Sequence, residues 1–227
     1  MRNRLIMSAF VLLAIGCSGS DDDDATGLAL NSTVPPYVRG NVMTEAWTVN
    51  GAGFDASAVV STDVAGATID NVIVASPTQL RFELTAPNTV VAGTGQVMVT
   101  TATGGTATIT VPTVPETVTL SGEVQPILTT SCTGCHSGGA PASGLNLSSG
   151  VTHGATVGVA STGIPTMNLI TAGDPNASYL IDKIEGTQTV GVRMPPSGAP
   201  LTPTQITLIR VWTTDGALDN CLSFTRG

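Results

Sequence analysis

The sequence predicts a multi-domain chain, an N-terminal all-β sandwich followed by a mainly α-helical domain, both behind an export leader. Three observations predict it. Short β-branched segments recur between turn residues from 33 to 113. Apolar stripes at helical spacing flank a paired-cysteine motif beyond residue 120. A basic and then apolar run opens the chain. The expected organisation is a leader over 1–16, an acidic tether over 17–32, the sandwich over 33–113, a linker over 114–119 and the second domain over 120–227.

In the leader, Arg2 and Arg4 precede the apolar run Leu5 to Ile15, which suits a secretory signal and is short for a bilayer span. It ends in Ala14-Ile15-Gly16-Cys17, which resembles the lipobox of bacterial lipoproteins, with Ala14 where that family more often has Leu. The resemblance implies cleavage before Cys17 and acylation of that residue, and several acyl chains make a stable anchor where one would not. The alternative is an ordinary signal peptide cut nearby. Ser18, not Asp, follows the cysteine, which in that family implies the outer membrane over retention at the inner one. Residues 18–31, with the run Asp21 to Asp24, lack periodic apolar positions and read as a flexible tether. Eight Lys and Arg against sixteen Asp and Glu exclude a phosphate-binding surface, so nucleic acid is not an expected partner.

The expected strands of the sandwich are Ala46–Val49, Val59–Thr62, Asn71–Ala75, Gln79–Thr85, Gly95–Thr101 and Thr106–Val111. Leu80, Phe82 and Leu84 alternate with Arg81, Glu83 and Thr85, giving one apolar and one wet face. Asn50-Gly51, Gly53 and Gly104-Gly105 are the expected turns. The stretches Val49 to Phe54, Ser76 to Phe82 and Gln96 to Thr100 resemble the IPT/TIG kind of immunoglobulin-like domain, which implies a fold and leaves the role open between spacing and binding. No His or Cys lies between 33 and 113, so no catalytic site is expected there.

Four cysteines occur, and three remain once Cys17 is assigned to the leader. Cys132-Thr133-Gly134-Cys135-His136 is the attachment sequence for c-type haem: two thiols at this spacing add to the vinyl groups on one edge of the porphyrin, and the adjacent imidazole reaches the iron. Two rivals share the residues. A thioredoxin-like dithiol needs alternating strands and helices around it, which the pattern lacks. A zinc site could draw on Cys132, Cys135, Cys221 and His136 or His153, without a second paired spacing.

Before the motif, Glu123, Val124, Ile127 and Leu128 form a stripe with Pro126 in the first helical turn. Far downstream Thr202 is a candidate N-cap with Pro203 behind it, Ile206, Leu208, Ile209, Val211 and Trp212 populate the turns, and Gly216 ends them. Two such helices packed across each other are expected.

Val124-Gln125-Pro126-Ile127-Leu128, the Cys132 to His136 motif, Gly144 to Leu147, Gly173-Asp174-Pro175, Ser178-Tyr179-Leu180, Met194-Pro195-Pro196 and Ile209 to Ala217 together resemble the planctomycete-type cytochrome c domain over nearly all of 120–219. The resemblance implies a class I cytochrome c fold with one covalently attached haem c, His136 as the proximal ligand and Met194 as the sixth. A thioether is a soft neutral donor that favours reduced iron, and the prolines after Met194 hold the chain extended. His153 is the competing sixth ligand and Met167 a weaker one. Tyr179 and Trp212 are candidates to pack near the macrocycle, with core packing as the default role, and Arg193 is a candidate either to pair with a propionate or to stand as a solvated surface charge. With both axial positions filled there is no open site for substrate, so the expected role is that of an electron carrier passing single electrons between redox proteins at the cell envelope, not that of an enzyme. The alternatives are a surface binding or adhesion protein whose haem senses redox state or stabilises the fold, and the haem subunit of an exported oxidoreductase.

Overall fold

The computed structural model describes residues 27–41 and 43–219. The leader, Cys17, the Asp21 to Asp24 run and Cys221 lie outside the described residues. The chain divides into two units: residues up to Val90 with Thr94–Thr113, and Val91–Gly93 with everything from Val114 onward.

Among the described residues the first unit carries eight strands: β1 (Ala29–Val34), β2 (Val38–Arg39), β3 (Thr44–Ala52), β4 (Val59–Thr62), β5 (Thr68–Ser76), β6 (Gln79–Thr85), β7 (Gly93–Thr101) and β8 (Gly105–Val114). They form two four-stranded sheets, ordered β1-β3-β6-β5 and β2-β8-β7-β4. The alternation on β6 sets its register, because Leu80, Phe82 and Leu84 are fully buried and a one-residue slip would expose all three. Trp47 on β3 lies opposite Phe82 and stacks on it, with ring centroids 5.9 Å apart. Val49, Val97, Val99 and Val111 complete the same core.

The six expected strands coincide with β3 to β8, while β1 and β2 are additional. Strand β1 places residues 29–32 in the sheet, where the sequence reading put tether. The physical reason is composition: of its less exposed positions Leu30, Ser32 and Thr33 two are polar, so no apolar alternation marks the strand, and its register with β3 also shifts between Leu30 and Ser32. Asn50-Gly51 is not a turn, since both residues sit within β3. A Cβ on Gly51 would lie 2.0 Å from the Ala29 carbonyl oxygen, so glycine there permits the close approach of β1, and the positive φ falls on Gly53.

In the second unit a π-helical turn, Leu120–Val124, runs directly into α1 (Gln125–Ser131). Thr119 starts it: its hydroxyl accepts from the Gly122 amide, and the Glu123 carboxylate accepts from the Thr119 amide and hydroxyl. Short helices α2 (Thr152–Thr156) and α3 (Tyr179–Glu185) follow, then α4 (Pro203–Thr214). The expected Thr202 cap is present and reciprocal, with Thr202 Oγ1 accepting from the Gln205 amide at 3.2 Å and Gln205 Oε1 accepting from the Thr202 amide at 2.8 Å. Helix α4 packs on the π-helical turn and on α3, and the buried Leu120, Val124, Leu208, Ile209 and Trp212 belong to the turn and to α4. The C-terminal helix of this unit therefore meets the π-helical turn that leads into α1.

Helix α3 is tied to α4 and to the turn before it by Arg210, whose guanidinium bonds Glu185 Oε1 at 2.9 Å and Asn176 Oδ1 at 2.6 Å. The Glu185 side chain is 9% exposed, and its burial raises the carboxyl above the ordinary value despite the opposing pull of Arg210. The native state thus holds that proton more tightly than the unfolded chain, and the contribution of Glu185 to stability falls as pH rises above the usual carboxylate range. Arg210→Ala leaves the carboxylate buried without its partner. The expected loss is about 1–2 kcal/mol at neutral pH, and smaller near pH 4 where Glu185 is protonated, read from denaturant midpoints at the two pH values.

Candidate functional site

Helix α1 delivers the two thiols and the imidazole into one turn. At its end the amides of Cys132 and Thr133 both donate to the Leu128 carbonyl, at 2.8 and 3.1 Å. The amides of Cys135 and His136 then fold back onto the Cys132 carbonyl, at 3.1 and 2.9 Å. The Thr133 hydroxyl donates to the Thr129 carbonyl at 2.6 Å and fixes the residue between the cysteines against the helix. Both cysteines are free thiols, Cys132 half-buried and Cys135 exposed. Burial pushes the Cys132 thiol up to about 11. That is the reverse of what a redox-active dithiol needs, because such pairs work through a lowered thiol pKa.

The orientation of His136 is set by the loop that follows. His136 Nδ1 lies 3.1 Å from the Ala142 carbonyl oxygen. A carbonyl can only accept, so Nδ1 carries the proton and the Nε2 lone pair is left as the ligating position. Such a second bond is how a metal-binding imidazole is held in one tautomer and one plane. The loop is pinned in turn: the Ala142 amide donates to the Cys135 carbonyl at 3.0 Å and the Leu147 amide to the His136 carbonyl at 2.8 Å. Beneath it, buried Gln125 donates from Nε2 to the Leu147 carbonyl at 2.9 Å and accepts at Oε1 from the Thr152 hydroxyl at 2.7 Å. Two buried polar side chains therefore lock α1, the histidine loop and α2 together.

Met194 is carried elsewhere, on the segment after α3, and is half-buried. Its amide donates to the Lys183 carbonyl at 2.8 Å. The Tyr179 hydroxyl donates to the Val190 carbonyl at 2.9 Å, and Arg193 Nε donates to the Ile184 carbonyl at 3.3 Å. The bond from Arg193 engages the Nε edge of the guanidinium, the side chain that was a candidate either for a propionate or for the solvated surface. Tyr179 and Trp212 are both core residues, the indole of Trp212 donating to the Leu218 carbonyl at 2.9 Å.

A continuous ladder joins the two regions. From α2 the Thr156 carbonyl accepts the Ile170 amide at 3.0 Å; the Asn168 and Leu169 carbonyls accept the Tyr179 and Leu180 amides, each at 2.9 Å, and α3 then holds the Met194 segment. His153 stands on α2 and is half-buried, and Met167 lies in the 156–170 connection, its amide bonded to the Ile164 carbonyl at 2.9 Å. Cys132, Cys135 and His136 are brought together, whereas Met194, His153 and Met167 each sit on a separate segment.

The residues fit a covalently held haem. The donor set is one imidazole with its ligating nitrogen left over and two thiols within a single turn, one of them open to solvent. Val159, on the connection after α2, and Val190 and Val192, on the segment before Met194, are apolar side chains left 37–60% exposed. Among the described residues no three of His, Cys, Asp and Glu form a metal-binding group, and Cys221, on which the zinc alternative also draws, lies outside them.

No curated protein matches the chain. The model of the planctomycete cytochrome C family matches residues 132–198, a span that opens on Cys132, closes just beyond Met194-Pro195-Pro196 and is narrower than the resemblance read from the sequence over 120–219. That match supports a cytochrome c domain in the second unit, and the planctomycete cytochrome C family to which these residues are similar implies that the unit binds haem and carries electrons.

Proposed function

We propose that the protein is a monohaem c-type cytochrome that relays single electrons at the bacterial cell envelope. The thiols of Cys132 and Cys135 would form the two thioethers, His136 would supply the proximal nitrogen and Met194 the sixth, sulfur ligand. The bound group would supply a one-electron ferric/ferrous couple; everything else is arranged by the chain. The observation that carries the reading is the bond from His136 Nδ1 to the Ala142 carbonyl directly after a turn that presents two thiols, because it fixes the imidazole in the ligating tautomer.

The Gln125–Thr152 pair keeps the histidine loop from shifting between oxidation states, and rigid ligands lower the reorganisation that each electron transfer requires. No side chain is asked to transfer a proton or to attack a substrate. Partners are redox proteins that would exchange electrons with the bound group.

The remaining parts follow from sequence. Cys17 would be the lipidated residue, anchoring the protein to a membrane facing the periplasm, the outer membrane by virtue of Ser18. The β-sandwich over 33–113, which lacks His and Cys, would serve as an IPT/TIG-type spacer. Potentiometry of the full chain, matured in a host that ligates haem, tests the function. The expected result is a reversible one-electron titration with no carbon monoxide complex in the reduced state; ready carbon monoxide binding would turn the reading toward a sensor or an oxidoreductase subunit.

A further inference from the structure

We propose that Lys183, assisted by Tyr179, is the positioning residue that clamps the 190–194 segment and so presents the Met194 sulfur. The proposal rests on the reading of Met194 as sixth ligand. The ammonium of Lys183 donates to the Val192 carbonyl and, at 3.5 Å, to the Val190 carbonyl. Val190 O also accepts from the Tyr179 hydroxyl at 2.9 Å, and the ammonium lies 5.6 Å from the Tyr179 ring centroid. The backbone of the same lysine closes the arrangement, because its carbonyl accepts the Met194 amide at 2.8 Å.

Three carbonyl and amide groups of the segment are therefore held from two residues one helical turn apart on α3. The segment needs such a hold: it has no helix or strand of its own from residue 187 to 202, and Val190 and Val192 are 45% and 60% exposed. Gly191 is fitted to the clamp. Its φ of +73° is open to glycine, and a Cβ there would lie 2.9 Å from the Lys183 ammonium. Charge-assisted bonds to main-chain carbonyls are stronger than neutral ones, so one cation can order a segment that has few contacts of its own.

The test uses the full-length haem-loaded protein. Lys183→Met keeps the stem and removes the donors, Lys183→Arg restores donors, and Tyr179→Phe removes one donor while keeping the ring. The readouts are the association of exogenous imidazole with the ferric form and amide exchange at Val192 and Met194, with α4 amides as the internal reference. The expected result is about tenfold faster imidazole association and exchange at the segment in Lys183→Met, a smaller effect in Tyr179→Phe, recovery in Lys183→Arg and unchanged exchange in α4. A general loss of packing would move α4 as well and would overturn the clamp. If Met194→Ala opens the iron to imidazole while Lys183→Met changes nothing, the clamp is overturned and the ligand reading stands. If Met194→Ala itself has no effect on imidazole association, the ligand reading fails and the clamp with it.

Discussion

Replacing Cys132 and Cys135 together by alanine is expected to abolish covalent haem attachment, leaving a polypeptide from which acid and organic solvent remove all colour. The two thiols lie within one turn, with the Cys135 and His136 amides both bonded to the Cys132 carbonyl, so the backbone and not either thiol sets their positions. Single variants should accordingly retain one thioether. The remaining bond differs between them: Cys135 is exposed and its loss leaves attachment through a half-buried sulfur, whereas loss of Cys132 leaves attachment through the open one. Each single variant should keep its haem through denaturation with an altered spectrum, and only the double variant should release it. The second unit's helices have their own buried contacts in Val124, Leu128, Leu208, Ile209 and Trp212, so protein without haem should still show helical signal.

Met194→His is expected to lower the midpoint potential by on the order of a few hundred millivolts and to abolish the thioether-to-ferric-iron absorption band. Methionine sulfur stabilises the ferrous state, and imidazole in its place favours the ferric one. The segment should remain in place, because its bonds to α3 are made by main-chain groups of Val190, Val192 and Met194 and by the Arg193 side chain, and not by the Met194 side chain. The same substitution at a bystander methionine would leave the potential within tens of millivolts. Met167 supplies that comparison, lying on a different segment between α2 and α3.

Much of the architecture was legible because it is written in periodicity and caps. The alternation at Leu80, Phe82 and Leu84 fixes β6, and Thr202-Pro203 starts α4 where expected. Strand β1 was not legible, since its inward positions Ser32 and Thr33 are polar, Thr33 being its one buried residue. Nor was the role of Gly51, whose missing side chain answers to a neighbouring strand and not to a turn.

At the site the same division holds. The Cys132-Cys135-His136 spacing is a local signature and could be read directly. What holds it could not. His136 is oriented by the backbone carbonyl of Ala142, an acceptor that any residue would provide. Gln125 and Thr152 are 27 positions apart, and their bond arises only when α1 and α2 pack. Gln125 did lie within a segment that carries the family resemblance, which was the available hint. Lys183 likewise reads as a solvated helix charge until α3 and the 190–194 segment are seen together.

The most direct test of the central claim is the intact mass of the chain from a haem-ligating host, taken under denaturing conditions. The expected value exceeds that of the processed polypeptide by one haem, and the increment disappears in the Cys132→Ala, Cys135→Ala double variant. A wild-type mass without the increment, with both thiols open to alkylation, would contradict the account.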